Sequence, residues 1–95
     1  MTLDQFTASL TQSQPPTSIH PVLQALWHDA NGQWEQAHNI AQSREGEPPY
    51  DRLHAYLHRR EGDRFNAGYW YRRAGESFFA GSLNEEWAAL VRQQL

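Results

Sequence analysis

Two stretches of the sequence decide the fold: "LQALWHDANGQWEQA", residues 23–37, and "LHAYLHRREGDRFNA", residues 53–67. Aligned thirty residues apart, they agree at five of fifteen positions: Leu23/Leu53, Ala25/Ala55, His28/His58, Gly32/Gly62 and Ala37/Ala67. In each stretch apolar residues recur with the period of an amphipathic helix as far as the glycine, and a second helical pattern follows. Glycine just past a helix supplies the left-handed backbone conformation that ends it. Each stretch therefore predicts an antiparallel hairpin of two helices.

The rest of the chain predicts further helices and no strand. Pro21 suits the first position of a helix, because its missing N–H would be unpaired there. Thr2 with Gln5, and Ser82 with Glu85, match the pattern of a capping box at a helix start. We therefore predict one all-α domain over residues 1–95, with an N-terminal helix and linker at 1–18, helical hairpins at 19–45 and 48–75, and a C-terminal capping helix at 82–95.

The two glycine turns carry a resemblance to a known repeat. The segments "NGQWEQA", residues 31–37, and "EGDRFNA", residues 61–67, resemble the turn of a tetratricopeptide repeat, in which glycine, two residues, an aromatic or apolar position and then alanine recur. This resemblance implies a tetratricopeptide-like pair of helical hairpins. The segment "HAYLHRREGDRFNAGYWYRRAG", residues 54–75, also resembles a group of small uncharacterised bacterial proteins. This second resemblance extends over nearly the whole chain and implies no activity.

Composition argues against several classes of function. The chain has no cysteine, so a disulfide framework or a zinc–cysteine site is excluded. Its net charge of −3 argues against a nucleic-acid partner, because phosphate binding needs a clustered positive excess. The first residues lack the basic region and the apolar run of a signal peptide or membrane span, so we expect a cytoplasmic protein with no membrane partner. No catalytic triad order, phosphate-cradling loop or dinucleotide fingerprint is present, and we expect neither catalysis nor a cofactor.

The candidate partner-binding residues are Tyr69, Trp70 and Tyr71, called the aromatic stretch below, with the Arg72 and Arg73 that follow. Successive helical residues point about 100° apart, so three rings spread over about 200° and cannot all face one neighbour. We predict that at least one ring is core and at least one is accessible beside an arginine. Tyrosine, tryptophan and arginine dominate interface energetics. The stretch therefore favours a small non-catalytic interaction module that binds a peptide, a protein or a second copy of itself.

The basic residues leave two interpretations open. All eight are arginine and none is lysine. Either the genome has a compositional bias, or the planar guanidinium group is favoured for ion pairs, stacking and interfaces.

Two further residues are expected to support the aromatic stretch. A glycine inside a helix costs about 1 kcal/mol relative to alanine, so we expect Gly68 to permit a close helix crossing. Trp87, on the apolar side of the last helix, is expected to pack against the second hairpin and cover the far side of the stretch.

The histidines suggest a different class of function. His54, His58 and Glu61 project along one side of one predicted helix, where two imidazoles and a carboxylate can hold a divalent metal. His28 holds the position that matches His58 and could approach as a further ligand. The plainer interpretation is surface histidines bonded to nearby acids or hydroxyls, since no HExxH motif is present. We predict no metal cofactor, and the alternative function is a metal- or small-ligand-binding enzyme that uses His54, His58 and Glu61.

Overall fold

The protein is entirely helical, as predicted. The computed structural model describes all residues from Met1 to Leu95 and contains no strand. Its helices are α1 (Leu3–Ala8), continued by a 3₁₀ turn at Ser9–Thr11, α2 (Pro21–Ala30), α3 (Trp34–Gln42), α4 (Pro48–Arg60), α5 (Arg64–Arg73) and α6 (Leu83–Gln94). None of these helices has the length and apolar character that crossing a membrane requires.

Three helices end in the same kind of glycine turn. Gly32, Gly62 and Gly75 have φ values of 75°, 88° and 76°, which confirms the prediction of positive φ for Gly32 and Gly62. In each turn the amide after the glycine donates over 2.9 Å to a carbonyl five residues earlier: Gln33 to His28, Asp63 to His58 and Glu76 to Tyr71. This is the Schellman arrangement, which satisfies carbonyls that the helix end leaves free.

The helix starts follow the side-chain signals in the sequence. Both predicted capping boxes are confirmed, since Thr2 pairs with Gln5 and Ser82 with Glu85 through reciprocal hydrogen bonds. Pro21 is the first residue of α2. Such caps provide acceptors for backbone N–H groups that have no partner inside the helix.

Helix α4 is the centre of the domain. It contacts α2, α3, α5 and α6, and residues 50–57 are all buried. Four of its apolar residues pack in a core with side chains from three other helices: Tyr50, Leu53, Tyr56 and Leu57 with Phe6, Leu26 and Val91. Because α4 is enclosed on nearly every side, its polar residues Asp51, Arg52 and His54 are buried too, and each one needs partners inside the protein.

Helix α6 makes its main contacts with α1, α2 and α4. Trp87 packs its ring against that of Phe6, with 5.8 Å between the centroids, and its indole N–H donates to the Leu26 carbonyl over 3.0 Å. The expectation that Trp87 covers the aromatic stretch was therefore wrong. The preceding residue, Glu86, contacts side chains of α4 and α5. Because neighbouring helical residues point about 100° apart, Trp87 is turned away from these helices and towards α1 and α2.

Gly68 does not lie at a helix crossing. A methyl group added at its Cα would meet only the Nη1 atom of Arg72, at 3.5 Å, which is an ordinary contact. The expectation of a close helix approach at Gly68 was wrong, because the partly exposed side of α5 that carries it faces no other helix of this chain.

Candidate functional site

The aromatic stretch divides between the interior and the surface. Tyr71 is 1% exposed and Trp70 is buried, whereas Tyr69 is 42% exposed. An Arg73 Nη1 N–H donates to the Tyr69 hydroxyl over 3.1 Å. The prediction that one ring is core and another is accessible beside an arginine is confirmed. Arg72 is exposed on the same helix, one turn after Gly68.

Trp70 connects the surface with the interior. Its indole stacks on the imidazole of His54, with 3.8 Å between centroids and 14° between planes. The exposed Tyr69 ring meets it edge-on at 5.1 Å, and the Arg73 guanidinium lies 5.0 Å from its centroid. The outer side of α5 therefore touches a buried histidine through one shared ring.

Tyr71 belongs to a buried ionic network around Glu86. Its hydroxyl donates to the Glu86 carboxylate, which has no exposed surface. Arg52 Nη1 and Arg59 Nη1 donate to the two oxygens of the same carboxylate over 2.6 and 2.7 Å. Burial, and then the hydrogen bond to Glu86, raise the pKa of Tyr71. Because both carboxylate oxygens of Glu86 accept from residues of α4 or α5, this network holds α4, α5 and α6 together.

Sequence reasoning missed Glu86. It lies three residues after Leu83 and four before Leu90, both on the apolar stripe of α6. An acid on such a stripe was the signal available, since a buried carboxylate requires cationic partners. The two arginines that neutralise it lie in α4, far away in the sequence.

The loop after α5 covers the inner side of that helix. The Phe78 ring packs on Tyr71, with 4.7 Å between centroids, and the Arg64 guanidinium lies 4.4 Å from the Phe78 centroid. Phe78 and Phe79 both pack against a second, smaller cluster of buried side chains, which consists of Ala55, Ala67, Trp70 and Tyr71. Phe78 and Phe79, which lie between the predicted second hairpin and the predicted capping helix, therefore supply the cover that was expected from Trp87.

A second buried acid joins α2 to α4. The Tyr56 hydroxyl donates to Asp29 Oδ2 over 2.6 Å, and Arg60 Nε lies 3.4 Å from the same oxygen. Burial, followed by the negative charge of Asp29, raises the pKa of Tyr56. The acid that the sequence places at the first glycine turn is thus a structural hydrogen-bond acceptor.

Three histidines meet beside Trp70, and we call His38, His54 and His58 the histidine cluster. One ring nitrogen from each lies within 4.8 Å of those from the other two. The Nε2 atoms of His38 and His54 are 3.0 Å apart. On the outer side, His58 Nδ1 lies 2.7 Å from Glu61 Oε1.

The cluster contains some of the predicted metal candidates and not others. His54 and His58 stack on each other, with 4.9 Å between ring centroids, and Glu61 contacts His58, whereas His28 does not join them. Its Nδ1 atom is instead paired with Gln33 Oε1 at 2.7 Å. The third imidazole is that of His38, which sequence reasoning did not consider. The available signal was its position next to Ala37 on the face of α3 that packs towards α4.

The surroundings of the cluster keep its inner rings neutral. Burial lowers the pKa of His54 to about 3, with further contributions from the charges of His38, His58 and Arg73. Burial also lowers the pKa of His38, and the nearby His58 adds to this shift. A neutral imidazole has a nitrogen lone pair that can accept a hydrogen bond or bind a metal. His54 Nδ1 is buried and has no hydrogen-bond partner.

Two features thus adjoin at Trp70: an exposed pair, Tyr69 and Arg73, and the histidine cluster, of which His54 is buried. No family model, curated protein or solved structure matches this chain.

Proposed function

We propose that the protein is a non-catalytic helical interaction module that binds an acidic segment of a partner protein through the outer face of α5. This face consists of Phe65, Gly68, Tyr69, Arg72 and Arg73. The observation that carries the proposal is the exposure of two aromatic rings one helical turn apart, Phe65 at 84% and Tyr69 at 42%, beside two arginines.

The exposed rings support binding because of their grouping. A single exposed apolar side chain is normal on a protein surface. Phe65 and Tyr69, however, are four residues apart on one helix face, and Arg73 is four residues further on. Aromatic residues and arginine supply most of the anchors of protein interfaces. The contact between Arg73 and the Tyr69 hydroxyl also holds both side chains in place before a partner arrives.

Gly68 supports the same face as a contact surface. Glycine in a helix interior costs about 1 kcal/mol relative to alanine, and nothing inside this chain requires it at this position. Without a side chain, Gly68 has only the flexible end of Arg72 near the position that a Cβ would take. A partner backbone that displaced this arginine and packed on Gly68 would offset the cost of the glycine.

Charge selects the kind of partner. Helix α5 carries Arg64, Arg72 and Arg73 and no acidic residue, in a chain with a net charge of −3. The planar guanidinium group binds carboxylates through two parallel hydrogen bonds. A segment that combines aspartate or glutamate with apolar side chains therefore complements this face better than a neutral or basic segment.

Selection from a random peptide library, displayed on phage and bound to the immobilised protein, tests the proposal. We expect enriched peptides to be rich in aspartate and glutamate, to bind more weakly at high salt, and to be lost with the double variant F65A/Y69A. The matched control is Gln42→Ala, a truncation of an exposed residue on α3, which should keep the same peptides.

Other occupants give different results. Enrichment of peptides without acidic residues, or equal binding to the double variant, would refute an acidic segment at this face. Sedimentation of the protein alone examines self-association. A dimer that dissociates in F65A/Y69A would assign the face to a second copy of the chain.

The alternative function, an enzyme that uses His54, His58 and Glu61, draws support from the contacts of His58 with His54 and with Glu61. A metal at this place would be bound by His38, His54 and His58. Its binding would not depend on a partner at the outer face of α5. The cytoplasmic location stays a prediction.

A further inference from the structure

We propose that His38, His54 and His58 form a binding site for a divalent transition metal of the zinc class. Each imidazole supplies one nitrogen, and a fourth position is left for water. The site is separate from the outer face of α5 and does not rest on the proposed partner.

The distances suit a metal of this size. Zinc binds histidine nitrogens at about 2.0–2.1 Å in tetrahedral geometry, which places neighbouring ligand nitrogens about 3.3 Å apart. The Nε2 atoms of His38 and His54 are already 3.0 Å apart, and the nitrogens of all three rings lie within 4.8 Å of one another. Small rotations of side chains that project from two packed helices would complete the site.

Glu61 orients the third ligand. With Nδ1 of His58 2.7 Å from Glu61 Oε1, the ring donates its Nδ1 hydrogen to the carboxylate, and the lone pair is left on Nε2. Metal-binding histidines commonly donate their second nitrogen to a carboxylate in this way, which fixes the tautomer and strengthens the ligand. The pair explains why an acid lies one turn after His58.

His54 turns its Nε2 towards the cluster. In the contact with His38, one hydrogen is shared between two Nε2 atoms that lie 3.0 Å apart. A metal that displaced this hydrogen would take up the lone pairs of both nitrogens, and the proton of His54 would then stay on Nδ1, on the other side of the ring.

Two tryptophans hold the inner rings in place. The Trp34 ring stacks on His38 with 4.6 Å between centroids, and Trp70 stacks on His54 at 3.8 Å. Such packing restricts the rotamers of ligands before a metal binds. His38 remains partly exposed, so an ion can reach the cluster from solvent.

The donor set selects the metal. Three imidazoles and no thiolate favour zinc, copper or nickel, whereas calcium and magnesium prefer oxygen ligands. Zinc tolerates an irregular arrangement because its filled d shell imposes no geometry. The charge of Arg73 opposes cation binding and that of Glu61 favours it, and only Glu61 contacts a ligand directly.

Calorimetric titration of the chelator-treated protein with Zn²⁺ tests the site. We expect one ion per chain and an affinity that falls at least about tenfold in His38→Ala and in Glu61→Gln, the range seen when ligands or their orienting carboxylates are changed. The matched control is His28→Ala, which removes a histidine outside the cluster and should bind Zn²⁺ like the unaltered protein. Cobalt in place of zinc should give the visible absorption of a four-coordinate site.

Each contrary result overturns the proposal. Absence of saturable Zn²⁺ binding up to about 0.1 mM would show that the rings only stack and hydrogen-bond. Equal weakening by His28→Ala and His38→Ala would show adventitious binding to surface histidines. Circular dichroism of each variant checks folding, and because His38 and Glu61 are both partly exposed, two independent folded variants are expected.

Discussion

The indole of Trp70 lies parallel to the imidazole of His54, with 3.8 Å between the ring centroids. One residue thereby ties the exposed end of the aromatic stretch to the most deeply buried histidine. The contact also removes one face of the imidazole from water, which contributes to the burial that keeps His54 neutral.

The first prediction concerns stability in mild acid. The pKa of His54 is about 3 in the folded protein and 6.5 for an unperturbed histidine, and that of His38 is lowered as well. Between these pH values the unfolded chain binds more protons than the folded one, so the free energy of unfolding falls as the pH drops below 6.5. The slope should approach about 1.4 kcal/mol per pH unit for each such proton.

Urea unfolding between pH 7 and 4.5, with a chelator present, measures this slope. His54→Phe keeps a ring against Trp70 but removes the proton site, so we expect a shallower dependence on pH. His28→Phe is the matched control and should retain the full slope. Identical slopes for the unaltered protein and His54→Phe would show that His54 is protonated as easily in the folded state as in the unfolded one.

The second prediction concerns the buried carboxylate. Glu86→Gln removes the buried carboxylate that Arg52 and Arg59 share and leaves Arg52 only the half-exposed Glu76, 3.3 Å from its Nε, as a counter-charge. We expect a loss of roughly 3–5 kcal/mol in the free energy of unfolding. The same change in the exposed pair of Arg44 and Glu47, Glu47→Gln, should cost less than about 1 kcal/mol. Chemical denaturation of both variants measures the two losses. If Glu86→Gln and Glu47→Gln lower the free energy of unfolding by similar amounts, Glu86 does not have the central role described above.

Much of the fold could be predicted because its signals are local. Gly32 and Gly62 end helices, and the pairs Thr2/Gln5 and Ser82/Glu85 begin them, and each signal acts within a few residues. Such patterns need no knowledge of which helices touch. The all-α class therefore followed from the sequence.

The candidate site depended on contacts between distant residues, which no local pattern contains. His54 and His58 were found because they are four residues apart on one helix, whereas His38 lies sixteen residues before His54 and reaches it only through the packing of α3 on α4. Glu86 was missed for the same reason, since its partner Arg52 is thirty-four residues away.

The third prediction separates two kinds of glycine. Gly68 has ordinary helical geometry and only a flexible arginine end near its Cα, so Gly68→Ala should stabilise the protein by about 1 kcal/mol. Gly62 has a φ of 88°, where no atom would clash but a side chain strains the backbone, so Gly62→Ala should destabilise it by about 1 kcal/mol. Thermal melting distinguishes opposite signs. If Gly68→Ala destabilises the protein, the packing inside this chain requires a residue without a side chain at position 68.

The fourth prediction compares two tyrosines of the aromatic stretch through the same small change. Tyr71→Phe removes a buried hydroxyl that donates to an ionised carboxylate, and hydrogen bonds to charged groups contribute about 1.5–3 kcal/mol. Tyr69→Phe removes an exposed hydroxyl that accepts from Arg73, and a surface change of this kind should stay within about 0.5 kcal/mol. We expect only Tyr71→Phe to lower the denaturation midpoint clearly.

Both variants keep their aromatic rings, so the difference between them isolates the hydroxyl groups. Adding Glu86→Gln to each makes the comparison stricter. The cost of Tyr71→Phe should shrink in that background, because the charged acceptor is already gone, whereas Tyr69→Phe should be unaffected. If Tyr71→Phe costs the same in both backgrounds, the Tyr71 hydroxyl does not depend on the charge of Glu86, and the Glu86 network ends at the two arginines.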